Sequence, residues 1–285
     1  MAIHSIGNKK CILVLGRTQV YLRPLKSLGQ NFLVNRSVAE AEAEHAAGKN
    51  VLELGPGYGM LTEELCRKAK RVVAVEIDRN LFTMLKHDMH EKNLALINND
   101  FFKAGKSELK LDDTDIMIAN VPYKLSSKVI DFLLDHKLEA VLCLQKEFVE
   151  HMLAKPGTRN YSRLSVMFQL CFTYTKMMAV SKGSFRPVPK VDSVVVYIKP
   201  KSALLSFKEK MAINAIMQHK KKTVRNAILD SRSQLGMDMK QLVQLAESIK
   251  EKKSRVFKLA PEEILGIARE LINAMSSAAP VSAPV

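Results

Sequence analysis

Four short apolar runs, each followed by a turn or an acid, constrain this chain more than any other feature. Residues 51–54 (VLEL), 72–75 (VVAV), 94–97 (LALI) and 116–119 (IMIA) are mostly Val, Ile, Leu and Ala. That is the composition of strands buried on both faces of a parallel sheet. Amphipathic helical patterns, about 61–69 and 80–90, lie between them, so the chain alternates β and α. After the runs come Gly55-Pro56-Gly57-Tyr58-Gly59, Glu76-Ile77-Asp78, Asn98-Asn99-Asp100 and Asn120-Val121-Pro122-Tyr123. Ligands of open α/β sheets bind outside the carboxyl ends of the strands. The four endings therefore converge on one crevice, which no single ending establishes.

Each ending suggests a role. Pro122, three residues past the run 116–119, stops ladder pairing and turns the chain out of the sheet. Asn120 offers a side-chain carbonyl there, the turn offers backbone carbonyls, and Tyr123 offers a face on which a base can stack. Such a set suits an exocyclic amine on a planar ring: two acceptors hold its N–H groups and draw the lone pair out of conjugation. A merely structural turn is the competing reading of this tetrapeptide. The glycine loop lets backbone amides approach a ligand. Its spacing is G-x-G-x-G, with Met60 where a dinucleotide fingerprint needs glycine, so a nucleoside without pyrophosphate fits better. Glu76, 21 residues after Gly55, is placed to accept ribose hydroxyls, with helix capping as its alternative. Asp100 either accepts an adenine amine or makes an Asx-turn. Phe185, in the proline-stiffened stretch Phe185-Arg186-Pro187-Val188-Pro189-Lys190, would face Tyr123 across a flipped base or serve as a core residue.

The rest of the chain sets limits. With 44 Lys+Arg against 29 Asp+Glu, the net charge is +15, which points to a polyanionic partner. Residues 151–191 carry seven cations and no acid, and residues 201–285 carry a net +7. Lys155, Arg159 and Arg163, in a turn-rich loop, and Lys220, Lys221, Lys222 and Arg225 are candidate phosphate contacts. The four cysteines are far apart and the seven histidines lack ligand spacing. Reduced thiols of a cytoplasmic protein and no metal site are expected. The apolar stretch 11–16 is too short for a signal or membrane span and reads as a strand or an ordered arm. Ser37-x-x-Glu40 reads as a capping box opening a helix to about 47. Runs 140–144, 176–180 and 194–198 complete seven strands, the last two as an antiparallel pair at one edge. Four helices are expected after Pro200. The expected organisation is a basic arm over 1–29, an α/β domain over 30–200, a helical domain over 201–275 and a disordered tail over 276–285.

With these stretches in view, the chain resembles the small-subunit ribosomal RNA adenine N6,N6-dimethyltransferases. The matching blocks are residues 28–33 (LGQNFL), 51–62 (VLELGPGYGMLT), 75–78 (VEID), 120–123 (NVPY), 145–147 (QKE), 156–166 (PGTRNYSRLSV) and 185–193 (FRPVPKVDS). The resemblance implies a seven-stranded Rossmann-like S-adenosylmethionine methyltransferase domain with a small helical C-terminal domain. It implies that Asn31, Leu33, Gly55, Gly57, Glu76, Asp100 and Asn120 hold S-adenosyl-L-methionine. Asn120 and Pro122 would hold the target N6, and Tyr123 and Phe185 would stack its base. The implied reaction is dimethylation of two adjacent adenosines in the small subunit by a monomer. Two departures stand out: Val121 occupies a position usually Leu or Ile, and the stretch before Arg23 matches no family block. The rivals are a resistance-type dimethyltransferase acting on large-subunit rRNA, a DNA adenine methyltransferase, and a non-catalytic assembly or transcription factor. The 185–193 block and the basic helical tail favour the small subunit; an intact Glu76, Asp100, Asn120 and Tyr123 favours an active enzyme.

Overall fold

The computed structural model of the protein describes residues 2–5, 11–15, 18–22, 29–202 and 205–277. The chain divides into two compact units, Met1–Phe148 with Thr173–Pro200, and Val149–Phe172 with Lys201–Val285. In the first unit, β1 (Ala2–Ser5), β2 (Cys11–Leu15) and β3 (Thr18–Leu22) pair antiparallel. The stretch expected as an arm or a single strand is thus a three-stranded sheet. Residues 6–10, 16–17 and 23–28, which carry all the cations of the expected basic arm (Lys9, Lys10, Arg17, Arg23 and Lys26), lie outside the described residues, as does the expected tail from 278 onward.

Two-residue β4 (Phe32–Leu33) leads into α1 (Arg36–Ala43), which ends in a 3-10 turn at Glu44–Ala46. The expected capping box does not form. Asn35 is the N-cap and Ser37 lies inside the first turn. Asn35 is fixed from outside the helix instead, its Nδ2 donating to Ser184 Oγ at 3.2 Å. The main sheet then begins with β5 (Asn50–Leu54), α2 (Met60–Lys68), β6 (Arg71–Glu76), α3 (Arg79–Asp88), β7 (Leu94–Asn98), β8 (Ile116–Asn120), α4 (Ser126–His136) and β9 (Glu139–Gln145). Following α5 (Lys146–Met152) and α6 (Arg163–Cys171), β10 (Phe172–Val180), β11 (Phe185–Arg186) and β12 (Ser193–Pro200) complete the strands.

The seven-stranded sheet has the order β10-β12-β9-β8-β5-β6-β7. The five strands β5 to β9 run parallel to their neighbours among them, and β12 is antiparallel to β9. Burial follows this order. Strands β8 and β9 are apolar and buried almost throughout, whereas the edge strands β7 and β10 are largely half-buried or exposed. From β5 the chain winds one way to β6 and β7, then returns to place β8 on β5's other side. The reversal puts a topological switch point between the carboxyl ends of β5 and β8, where a crevice opens because successive connections diverge.

The second unit is helical, with α6, α7 (Phe207–Gln218), α8 (Val224–Asp230), α9 (Arg232–Leu235), α10 (Met239–Ser248) and α11 (Pro261–Ser277). Ser206 and Glu209 form a reciprocal capping box at the start of α7. Residues 149–172, expected with the α/β domain, group with these helices. Their loop is tied there by Gly157 N–H donating to Phe257 O at 2.7 Å and by the buried Tyr161 hydroxyl donating to Leu259 O at 3.0 Å. Residues 276 and 277, expected in the tail, end α11. Among the described residues no helix is long and apolar enough to cross a membrane.

Candidate active site

The switch point holds a cavity of about 220 Å³. Its walls include Asn31, Gly55, Gly57, Glu76, Asp100 and Asn120, and also Pro122, Tyr123 and Phe185. Leu33 lines a smaller adjoining pocket with Glu53 and Asn120. All ten expected cofactor and target residues of this unit therefore lie at one place, although 154 positions separate Asn31 from Phe185 in the sequence. What joins the two ends is β4 pairing with β11, Phe185 opposite Leu33 and Arg186 opposite Phe32. Val34 N–H donates to Ser184 O at 2.8 Å beside them.

The loop after β5 turns on glycines. Gly55, Gly57 and Gly59 have φ of +68°, +61° and +82°, a region costly for residues with a Cβ. Gly57 also faces Phe32, and a Cβ there would lie 2.9 Å from Phe32 Cδ1. The Phe32 ring in turn stacks on Tyr58, centroids 4.0 Å apart. Gly57→Ala is expected to cost about 1–3 kcal/mol of stability, because left-handed backbone and overpacking add. A thermal midpoint unchanged from wild type would show that the cradle is not tightly packed.

Glu76 ends β6 and is buried, 4% exposed. Its Oε2 accepts from Gly57 N–H at 3.2 Å and its Oε1 from Asp78 N–H at 2.8 Å. Burial pushes its carboxyl up to about 7, against the pull of those two amides. The capping alternative belongs to Asp78 instead: it is the N-cap of α3, taking Asn80 N–H at 3.0 Å and Gln30 Nε2 at 3.0 Å. Asp100 makes the Asx-turn, its Oδ1 accepting from Phe102 N–H at 3.0 Å, and lines the cavity as well. Asn31 Nδ2 donates to Gly29 O at 3.2 Å.

The turn after β8 carries an unsatisfied buried group. Asn120 Nδ2 donates to Glu42 Oε2 at 3.0 Å, while Asn120 Oδ1 is buried with no hydrogen-bond partner among the described residues. A buried acceptor left open is costly unless a ligand or water completes it. Pro122 O accepts from Leu125 N–H at 2.7 Å, closing a 3-10 turn over Tyr123–Leu125. Tyr123 is half-buried and its hydroxyl is held by Ser193 Oγ at 3.0 Å. Phe185, 3% exposed, belongs to the apolar core as well as the cavity wall, so the two readings of this residue coexist.

Several wall residues were not legible as such. Phe32 lay inside a quoted block and Ile77 beside Glu76; Ile77 is apolar yet 50% exposed at a strand end, a signal that adjacency to the acid would have supplied. Phe101, Phe102, Lys124, Lys128 and Cys143 also line the cavity. Glu42 had no signal of its own, because only the packing of α1 brings it to β8.

In the second unit the expected cations are used unevenly. Lys220 Nζ donates to the backbone carbonyls of Tyr161 and Arg159 and holds the 155–163 loop. Lys222 pairs with Asp230 and Arg225 with Glu247. Lys155, Arg159 and Lys221 are exposed, and Arg163, half-buried, contacts Met167 Sδ at 3.4 Å. Backbone bonds from Val224 to Ser254 and from Val256 to Lys222 place Lys253 and Arg255, both exposed, on strands of chain adjoining Lys221.

Comparison with known proteins gives the family and the fold. Residues 23–273 match the family model described as ribosomal RNA adenine dimethylase. A probable ribosomal RNA small subunit methyltransferase A of Thermococcus gammatolerans is 41% identical over 255 residues, covering 86% of this chain and 88% of that protein. The crystal structure of a dimethyladenosine transferase from Plasmodium falciparum superposes with a TM-score of 0.73 at 29% identity, covering 85% of this chain and 98% of that one. That of the 23S rRNA methyltransferase ErmE does so with a TM-score of 0.56 at 24% identity, covering 85% and 100%, a likeness of fold alone.

Proposed function

The chain belongs to the ribosomal RNA adenine dimethylase family, and from that premise we propose that it dimethylates N6 of two adjacent adenosines in small-subunit ribosomal RNA, as a cytoplasmic monomer. The observation that carries the reading is the buried Asn120 Oδ1, unpartnered among the described residues, on a residue that lines an aromatic-walled cavity. An acceptor so placed matches an amine N–H and repels a ring nitrogen lone pair.

The donor set fits S-adenosylmethionine. Gly55 and Gly57 keep two positions of the turn free of side chains, Glu76 offers a carboxylate toward a ribose diol, and Asp100 and Ile77 line the same cavity, where a planar purine would sit. When bound, S-adenosylmethionine supplies an electrophilic methyl group on its sulfonium. The chain's own work is positioning. Asn120 Oδ1 takes one N6 proton in a hydrogen bond. A carbonyl of the turn, such as Pro122 O with its second lone pair, takes the other. Held this way, the amine's lone pair leaves conjugation and points along the line of attack. Tyr123, fixed by Ser193, and Phe185 hold the base plane. No general base is needed first, since the nitrogen sheds its proton once it carries the new methyl group.

The test is methyl-labelled S-adenosylmethionine offered to unmethylated small subunits, large subunits and DNA side by side, followed by nucleoside analysis. Label as N6,N6-dimethyladenosine in the small subunit alone is expected. Label in the large subunit would move the reading to the resistance-type enzymes, and binding without label would leave an assembly factor.

For the RNA surface, we infer that Lys155, Arg159 and Lys221 contact phosphates, with Lys222 and Arg225 exchanging their acids for phosphate on binding. Replacing the first three with alanine is expected to weaken subunit affinity and flatten its salt dependence by about 0.7–0.9 in log–log slope per lost contact. An unchanged slope would place the RNA elsewhere.

A further inference from the structure

Glu42 lies on the core-facing stripe of α1, among Val38, Ala39 and Ala43, and is fully buried. A carboxyl in such a place is an expense the fold does not need. An apolar side chain would fill the stripe without desolvating an acid. Among the described residues no cation pairs with it. The ionisable groups that face it are Glu53, another buried acid, and the buried thiol of Cys143. Among the described residues Glu42 has a single polar partner, Asn120 Nδ2, at 3.0 Å, and its other oxygen, Oε1, is unpaired. Burial and the neighbouring Glu53 push its carboxyl up to about 8, so this site does not favour charge there.

We propose that Glu42 is a positioning residue that fixes the amide of Asn120 in the one orientation that presents Oδ1 to the amine of the target base. The inference rests on the methyltransferase reading of the site. A primary amide is two-faced: rotating it by half a turn exchanges an acceptor for a donor while hardly changing its shape. If Asn120 were free to turn, its NH2 would meet the NH2 of the substrate, donor against donor. Glu42 removes that choice. It does so when ionised: a carboxylate can only accept, so the Asn120 NH2 is the group that must face it, whereas a neutral carboxyl would carry an O–H able to meet Oδ1 instead. Oδ1 then faces away from Glu42 with no protein donor to satisfy it, which is the condition observed. Glu42 lines neither pocket of the site and acts only through Asn120.

The experiment compares wild type with Glu42→Gln, Glu42→Leu, Asn120→Ala and the Glu42→Leu/Asn120→Ala double variant, all in the full chain. Measured are kcat and KM with small subunits, S-adenosylmethionine Kd by calorimetry, and the thermal midpoint. Glutamine keeps an acceptor but adds an N–H face able to meet Oδ1, so it is expected to lower kcat by no more than about tenfold and by less than leucine does. Leucine removes it and is expected to lower kcat about 10- to 100-fold, with cofactor Kd unchanged and a thermal midpoint no lower than wild type. In the Asn120→Ala background, Glu42→Leu is expected to have no further effect on kcat, since nothing remains to orient. The inference is overturned if Glu42→Leu keeps wild-type kcat, if glutamine and leucine lose activity equally, or if Glu42→Leu slows the Asn120→Ala enzyme as much as it slows wild type. A loss of activity that tracks a lower thermal midpoint would assign Glu42 a role in folding instead. Wild-type protein that methylates neither subunit nor DNA would remove the function beneath the inference, which is a distinguishable failure.

Discussion

Replacing Asn120 by alanine is expected to lower kcat for methyl transfer by about 100- to 1,000-fold, the scale of losing a preorganised group that acts on the reacting centre. The expectation follows from how little else can do its work. Oδ1 is a buried acceptor left open on a residue that lines the cavity, and Pro122 O, which already accepts one 3-10 hydrogen bond, has a single lone pair left for the amine. An amine held by one acceptor instead of two keeps more of its lone pair in the ring. The alanine variant also frees Glu42, so its thermal midpoint should fall, because a buried acid loses its only hydrogen-bond donor. Cofactor binding is expected to change less than kcat does. Single-turnover rates measured with saturating S-adenosylmethionine separate these effects. A rate within tenfold of wild type would show that the amine is positioned by other groups.

The second large effect is at Glu76. Glu76→Ala is expected to weaken S-adenosylmethionine binding about 100-fold, the worth of hydrogen bonds to a charged group in a buried site. RNA affinity should stay largely intact, and equal loss of both would contradict the assignment. The pH dependence supplies the sharper check. The carboxyl titrates near 7 in the unliganded protein, and a ribose diol binds its ionised form. Affinity is therefore expected to be constant above about pH 7 and to fall below it, at most tenfold per pH unit. Glu76→Gln should remove that dependence.

The same direction of shift bears on stability. Glu42 and Glu53 are pushed up to about 8 and Glu76 to about 7, each from 4.5 and each chiefly by burial. A carboxyl whose folded value lies above its unfolded value binds more protons when folded. As far as these groups decide, the unliganded protein should therefore be most stable below about pH 4.5, lose stability as pH rises from there to 7–8, and level off above that. The slope for each proton is no steeper than about 1.4 kcal/mol per pH unit. Thermal midpoints recorded across that window measure it, and a rising midpoint would show that another group dominates.

Much of the site was legible because its parts sit at the ends of strands. A run of Val, Ile and Leu fixes where a buried parallel strand lies, and chain direction then fixes which end carries the ligand. Gly55, Gly57, Glu76, Asp100 and Asn120 could be placed from that local grammar, and all line the cavity. The α1 capping box failed for a reason of the opposite kind: Asn35, drawn to Ser184, set the start of the helix, and that contact spans 149 positions. Among the basic residues, composition marked the surface but not the assignments. Lys220 holds a loop, and Lys222 and Arg225 meet acids that no spacing rule ties to them.

By itself, then, the sequence determined the alternation of strand and helix, the sheet's buried centre and the identity of the groups at its carboxyl edge. Each of these is written in periodicities of a few residues. Only the tertiary structure decided that β4 pairs with β11 to bring Phe32 and Phe185 to one cavity, and that Glu42 stands behind Asn120 across 78 positions of chain. Such contacts depend on how helix α1 and the last strands pack against the finished sheet. Their partners share no local pattern, and a glutamate on an apolar stripe becomes intelligible only beside the amide it holds.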